Sequence, residues 1–133
     1  MTATQQDLDI VFDRYFDAWA SRDVDRIAAL HSEDGTFCLH SGDGVPVTGR
    51  QAIREAFAEV FQQFPDYAAE LVHKYVGDNF ITCEWRFSGT PSGSTERIAW
   101  DAIDIYTFRD GLCATKDTYI DLQSILTQLQ PPA

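Results

Sequence analysis

Ile98-Ala99-Trp100-Asp101-Ala102-Ile103-Asp104-Ile105-Tyr106-Thr107-Phe108, followed by Arg109-Asp110-Gly111, reads as one long strand entering a hairpin. The run is rich in β-branched and aromatic residues, has no Gly or Pro inside it, and stops at an Asp-Gly turn signal. Successive side chains on a strand point to opposite faces. One face therefore carries Trp100, Ala102, Asp104, Tyr106 and Phe108, and the other Asp101, Ile103, Ile105 and Thr107. The first set is apolar and aromatic apart from a single carboxyl group. Asp104 is for that reason the first candidate for a functional side chain.

Three more segments around this strand share its period of two. Residues 68–76, 80–88 and 112–120, with 97–108, read as four antiparallel strands joined by short polar turns. On 80–88, Ile81, Cys83, Trp85 and Phe87 form the apolar face, which faces the same side as Trp100, Asp104 and Tyr106. Earlier in the chain the period is helical. Leu8, Val11, Phe12, Tyr15, Phe16 and Trp19 make an apolar stripe over residues 5–20. Asp23 caps a second, short helix with Val24, Ile27 and Leu30 inward, and His31 falls at its C-terminus as a favourable end charge. Ser32-Glu33-Asp34-Gly35 reads as a turn and 36–40 as a strand. Thr48 and Gln51 read as a capping box for a third helix, with Ile53, Phe57, Val60, Phe61 and Phe64 inward and Pro65 at its end. Asp121 caps a short closing helix.

Helices gathered early and strands gathered late make an α+β fold. The reading is one domain over 1–133: a cone-shaped curved antiparallel sheet wrapped around the N-terminal helices, with a short C-terminal helix. Such a cone encloses a cavity, and nine Phe, five Tyr and three Trp are enough to line one. Its expected walls are Trp19, Phe37, Leu39, Phe57, Phe61, Trp85, Phe87, Trp100, Tyr106 and Tyr119.

Composition narrows the functions. Ten Lys and Arg against twenty-one Asp and Glu give a net charge of −11, and there is no basic run. That surface repels phosphate backbones and anionic lipid, so neither nucleic acid nor a membrane is an expected partner. Residues 1–7 lack the basic segment and apolar core of a signal peptide, and no apolar run reaches membrane-spanning length. The expectation is a cytoplasmic protein. Cys38, Cys83 and Cys113 lack CxxC or Cys/His spacing and read as small buried hydrophobes, so no metal is expected. The face carrying Ile103, Ile105 and Thr107, with Glu84 and Arg86 across the sheet, mixes apolar and charged groups as an isologous homodimer interface does.

The order of short motifs is similar to that of a known superfamily. Tyr15-Phe16-Asp17-Ala18-Trp19 leads to Arg22-Asp23-Val24-Asp25 and Ala29-Leu30-His31-Ser32-Glu33-Asp34-Gly35-Thr36-Phe37. Then come Gly49-Arg50-Gln51-Ala52-Ile53-Arg54, Cys83-Glu84-Trp85-Arg86, Tyr106-Thr107-Phe108-Arg109-Asp110-Gly111 and Tyr119-Ile120-Asp121. The chain resembles the nuclear transport factor two-like superfamily, in its SnoaL-like polyketide cyclase and ketosteroid isomerase branch, over nearly its whole length. The resemblance implies a small hydrophobic ligand and a dimer. It further implies a cofactor-free isomerase or cyclase moving protons at a carbonyl-containing substrate, or a non-catalytic binding or assembly protein of the same fold. By the isomerase pattern, Tyr15 and Asp104 fall at the oxyanion-hole positions. The general-base position holds Leu39, with His40 beside it. By the cyclase pattern, Asp117 or Asp121 is the acid/base residue.

Overall fold

The computed structural model describes residues 5–41 and 44–130. Its elements are α1 (Gln5–Ser21), α2 (Val24–Ala28), β1 (His31–His40), β2 (Val47–Thr48), α3 (Arg50–Gln63), β3 (Ala68–Val76), β4 (Phe80–Gly89), β5 (Ile98–Arg109), β6 (Leu112–Ile120) and α4 (Leu122–Leu129). The six strands form one curved, unclosed sheet in the order β2-β1-β6-β5-β4-β3. β3 to β6 form an antiparallel meander, whereas β1 runs parallel to β6, so the expected all-antiparallel sheet contains one parallel pair.

Alternation follows the sequence closely on the two central strands. Ile81, Cys83, Trp85 and Phe87 of β4 are buried, as are Trp100, Ala102, Asp104, Tyr106 and Phe108 of β5. Asp101, Ile103 and Ile105 are exposed on the other face. The apolar stripe of α1 lies in the concavity, with Phe12 against Trp85 and Tyr106 and Tyr15 against Tyr106, in one core that also holds Leu8 and the α3 residues Ile53 and Phe57.

The helix ends follow local chemistry. Asp23 accepts from the backbone N–H groups of Asp25 and Arg26 at 3.0 and 3.3 Å, and Asp121 accepts from that of Ser124 at 3.0 Å. The capping box expected at Thr48 and Gln51 does not form. Gly49 is the N-cap instead, at φ 94, without a side-chain cap; its N–H donates to the Gly35 carbonyl at 2.8 Å. Thr48 is taken up by β2, paired with Thr36.

The start of β1 also departs from the sequence reading. Residues 31–35 are strand rather than helix end and turn, with an irregular register against β6 between His31 and Thr36. His31 is fully buried. It is a core residue here, not an end charge in solvent.

Candidate active site

β5 and β6 are joined by Asp110 and Gly111, at φ 56 and 77, the positive pair a tight primed turn needs. A register shift between Thr107 and Phe108 then sets which β6 side chains face the cone. Beyond it, Tyr106 pairs with Lys116 and Asp104 with Thr118. These two alternate rungs, with Ile105 and Asp117 between them facing outward, place four functional side chains on the concave face.

Asp104 is 2% exposed. The Tyr106 hydroxyl donates to its Oδ2 at 2.7 Å, and the Thr118 hydroxyl donates to its Oδ1. Two hydroxyl donors, one on each oxygen, hold the plane of the carboxyl group. Each oxygen keeps a further lone pair for a ligand.

Lys116 is 6% exposed. Its Nζ lies 4.3 Å from the Trp19 ring centre, 4.9 Å from Phe57, and 5.6 Å from Tyr15, Phe37 and Tyr106. Ring faces attract a cation through their quadrupole. Burial nevertheless dominates and lowers the lysine pKa, while the nearby Asp104 charge opposes that shift. The result is a lysine amine ringed by aromatic side chains, facing an apolar space.

That space comprises two cavities, of about 280 and about 550 Å³, which share Trp19, Tyr67, Phe87, Asp104 and Lys116. Together they fall near the range of roughly 300–1,000 Å³ common to small-molecule sites. Trp85 and Tyr106 line the smaller cavity; Phe37, Leu39, Phe57 and Trp100 line the larger. Phe61 stands against Trp19, ring centres 5.5 Å apart. Tyr119, expected as a wall, is 45% exposed on the opposite face of the sheet.

The catalytic candidates divide between the two faces. Tyr15 is inside, but its hydroxyl shares a 2.8 Å hydrogen bond with His31 Nε2 rather than reaching Asp104. Tyr106, expected as a wall residue, is the phenol that donates to Asp104. Burial pushes both phenols well above their ordinary pKa, so they remain donors. Burial, reinforced by the Lys116 and Arg50 charges, lowers the His31 pKa to about 3, which keeps its ring neutral. His40 and Asp117 meet each other outside, Nε2 to Oδ1 at 2.8 Å, and cannot serve a ligand beside Asp104. Asp121 caps α4. The sequence reading did not single out Lys116 and Thr118, which alternation along β6 places beside Tyr106 and Asp104 once the register is known.

Comparison with known proteins follows the same lines. A family model described as SnoaL-like domain matches residues 12–115. No curated protein matches the chain. Solved structures do. A protein of ketosteroid isomerase-like fold from Catenulispora acidiphila DSM 44928, in complex with trimethylamine, has TM-score 0.78 and 22% identity, over 89% of this chain and 93% of that one. A proposed SnoaL-like polyketide cyclase from Jannaschia sp. CCS1 has TM-score 0.80 and 19% identity, over 96% and 94%. An NTF2-like protein from Burkholderia thailandensis E264 has TM-score 0.80 and 13% identity, over 91% and 95%. At these identities the structures speak for the fold, and the family model for membership: the chain belongs to the SnoaL-like domain family.

Proposed function

We propose that the protein is a cofactor-free isomerase or cyclase that moves a proton at a small, apolar, carbonyl-containing substrate. The observation that carries this reading is the placement of Asp104 and Lys116, opposite charges buried on one apolar surface and shared by both cavities. A buried charge costs several kcal/mol unless something compensates it. Two of them in a cavity wall are poor structural elements and good catalytic ones.

Asp104 is the base. Its carboxylate takes a proton from the carbon next to the substrate carbonyl, and the C–H electron pair becomes the enolate double bond. The charge that develops on the carbonyl oxygen is met by the Lys116 ammonium. Protonated Asp104 then returns the proton at the same carbon or at a conjugated one, which isomerises the substrate with a single base. In a substrate with a second carbonyl, the enolate carbon attacks that carbonyl carbon instead and closes a ring; the C=O π pair moves to its oxygen, and protonated Asp104 gives its proton to that alkoxide. Tyr106 and Thr118 fix the carboxylate between these steps and are positioning residues.

The aromatic box bears on ligand choice. The Catenulispora protein holds trimethylamine. In this chain five rings already surround an ammonium of its own, so a second cation is repelled and a ligand oxygen is favoured. The same reading takes the protein as a homodimer through the outer sheet face, where Ile103 and Ile105 are exposed.

The test is exchange of α-hydrogen for solvent deuterium in small cyclic ketones and enones, followed by proton NMR, with wild type and Asp104→Asn. Exchange by wild type and its loss in a folded Asp104→Asn protein that still binds the ketone support the reading. Binding without exchange by wild type, over the whole panel, makes the protein a ligand carrier instead.

A further inference from the structure

β6 serves both faces of the sheet. Lys116 and Thr118 point into the cone, and the residue between them, Asp117, points out. There it meets β1. The parallel ladder sets Cys38 opposite Asp117 and His40 opposite Tyr119. His40 Nε2 lies 2.8 Å from Asp117 Oδ1, its Nδ1 lies 3.9 Å from Cys38 Sγ, and its ring stacks on Tyr119 at 4.0 Å and 4°. One donor atom from each of Cys38, His40 and Asp117 fits within 4.8 Å of the other two. This grouping joins residues distant in sequence and lies apart from the proposed active site.

We propose that Cys38, His40 and Asp117 bind a zinc-class divalent cation on the outer face of the sheet. A thiolate, an imidazole and a carboxylate are the ligand types zinc takes, at about 2.3 Å for sulfur and about 2.0–2.1 Å for nitrogen and oxygen. Tetrahedral bonds of those lengths put sulfur and nitrogen about 3.5 Å apart, against the 3.9 Å observed. Nδ1 faces Cys38 while Nε2 faces Asp117, so binding requires the His40 ring to turn until one nitrogen meets the ion together with both partners. The side chains of His40 and Asp117 are about a third exposed, which provides both the freedom to turn and a path for the ion. Cys38 is fixed in the strand at 5% exposure, and Tyr119 holds the ring from one side. Three protein ligands leave a fourth position for water, the arrangement of an open zinc site. Binding deprotonates the Cys38 thiol and replaces the His40–Asp117 hydrogen bond with bonds to the metal.

Order alone would also allow these groups to act as nucleophile, base and orienting carboxylate. The burial of Cys38 sulfur denies a substrate carbonyl its approach and favours a small ion. The other two thiols do not compete. Cys83 and Cys113 lie on the concave face or in the core, where burial pushes their pKa up to about 12 and keeps them protonated.

The test uses the full chain stripped of metal with a chelator. Cobalt(II) is titrated as the spectroscopic probe, then zinc by calorimetry, on wild type, Cys38→Ser and Asp117→Asn, each shown to be folded by circular dichroism. The expected result is one cobalt per chain with a thiolate charge-transfer band, displacement by zinc, and no displacement by excess magnesium. Zinc should raise the melting temperature of wild type and not of Cys38→Ser. Asp117→Asn should bind at least tenfold more weakly. A cobalt spectrum without the thiolate band, or zinc affinity unchanged in Cys38→Ser, overturns the proposal and leaves only diffuse binding to an acidic surface.

Discussion

His31→Gln should remove a large part of the acid sensitivity of this fold. His31 is fully buried, and its pKa is lowered to about 3 from 6.5. The unfolded chain therefore takes up a proton at this residue as pH falls through 6.5, while the folded chain refuses it down to about 3. Between those values the unfolded state binds more protons, so stability falls as pH falls. Each pH unit costs about 1.4 kcal/mol once the unfolded imidazole is charged, which amounts to roughly 3 kcal/mol between neutral pH and pH 4. Glutamine keeps a polar atom for the Tyr15 hydroxyl, which lies 2.8 Å from His31 Nε2 in the wild type, and does not titrate. Urea unfolding of wild type and His31→Gln at pH 7, 6, 5 and 4 measures the effect as the difference between the two proteins. Carboxylates common to both cancel in that difference. The variant is less stable or equal at pH 7, and the gap moves in its favour by roughly 3 kcal/mol at pH 4. A gap that stays flat with pH would refute the assignment of His31 as a buried neutral ring.

Phe57→Ala removes a fully buried ring that packs on Trp19 at 4.7 Å and on Phe37 at 5.0 Å. It should cost about 3–5 kcal/mol in denaturant unfolding. Lys116→Met tests the buried ammonium through its pH dependence. Burial lowers the folded pKa of Lys116 below the ordinary 10.5, so the unfolded chain binds the proton more tightly in that window. Wild-type stability should rise relative to Lys116→Met as pH approaches 10.5, seen as converging or crossing melting temperatures. Parallel curves would mean that the lysine keeps its ordinary pKa.

Much of the fold was legible because the relevant forces are local. Alternation on β4 and β5, the stripe on α1 and the caps at Asp23 and Asp121 each depend on residues a few positions apart. The site was legible only in part, for a geometric reason. An uninterrupted hairpin turning on Asp110-Gly111 pairs Arg109 with Leu112 and would bring Asp117 opposite Asp104. The bulge between Thr107 and Phe108 adds one residue, so Thr118 faces Asp104, Lys116 faces Tyr106, and Asp117 turns outward. A slip of one residue exchanges the faces of a whole strand. The same logic governs β1, where Leu39 lines the larger cavity and His40 points away. His31 was misread because the break between α2 and β1 carries no composition signal: Leu30-His31-Ser32 suits a helix end as well as a strand start. The Cys38–His40–Asp117 grouping needs the parallel pairing of β1 with β6, which joins residues 79 apart in sequence at one rung.

The central claim is that Asp104 and Lys116 act on the two ends of one carbonyl group. The most direct measurement is a double-mutant cycle on deuterium exchange with one responsive ketone, using Asp104→Asn, Lys116→Met and the double variant. If both groups serve one transition state, each single change lowers the rate by at least tenfold and the double variant is little slower than the worse single one, since groups acting as a unit are strongly non-additive. A Lys116→Met protein that exchanges at the wild-type rate, or two losses that simply multiply, would contradict the account.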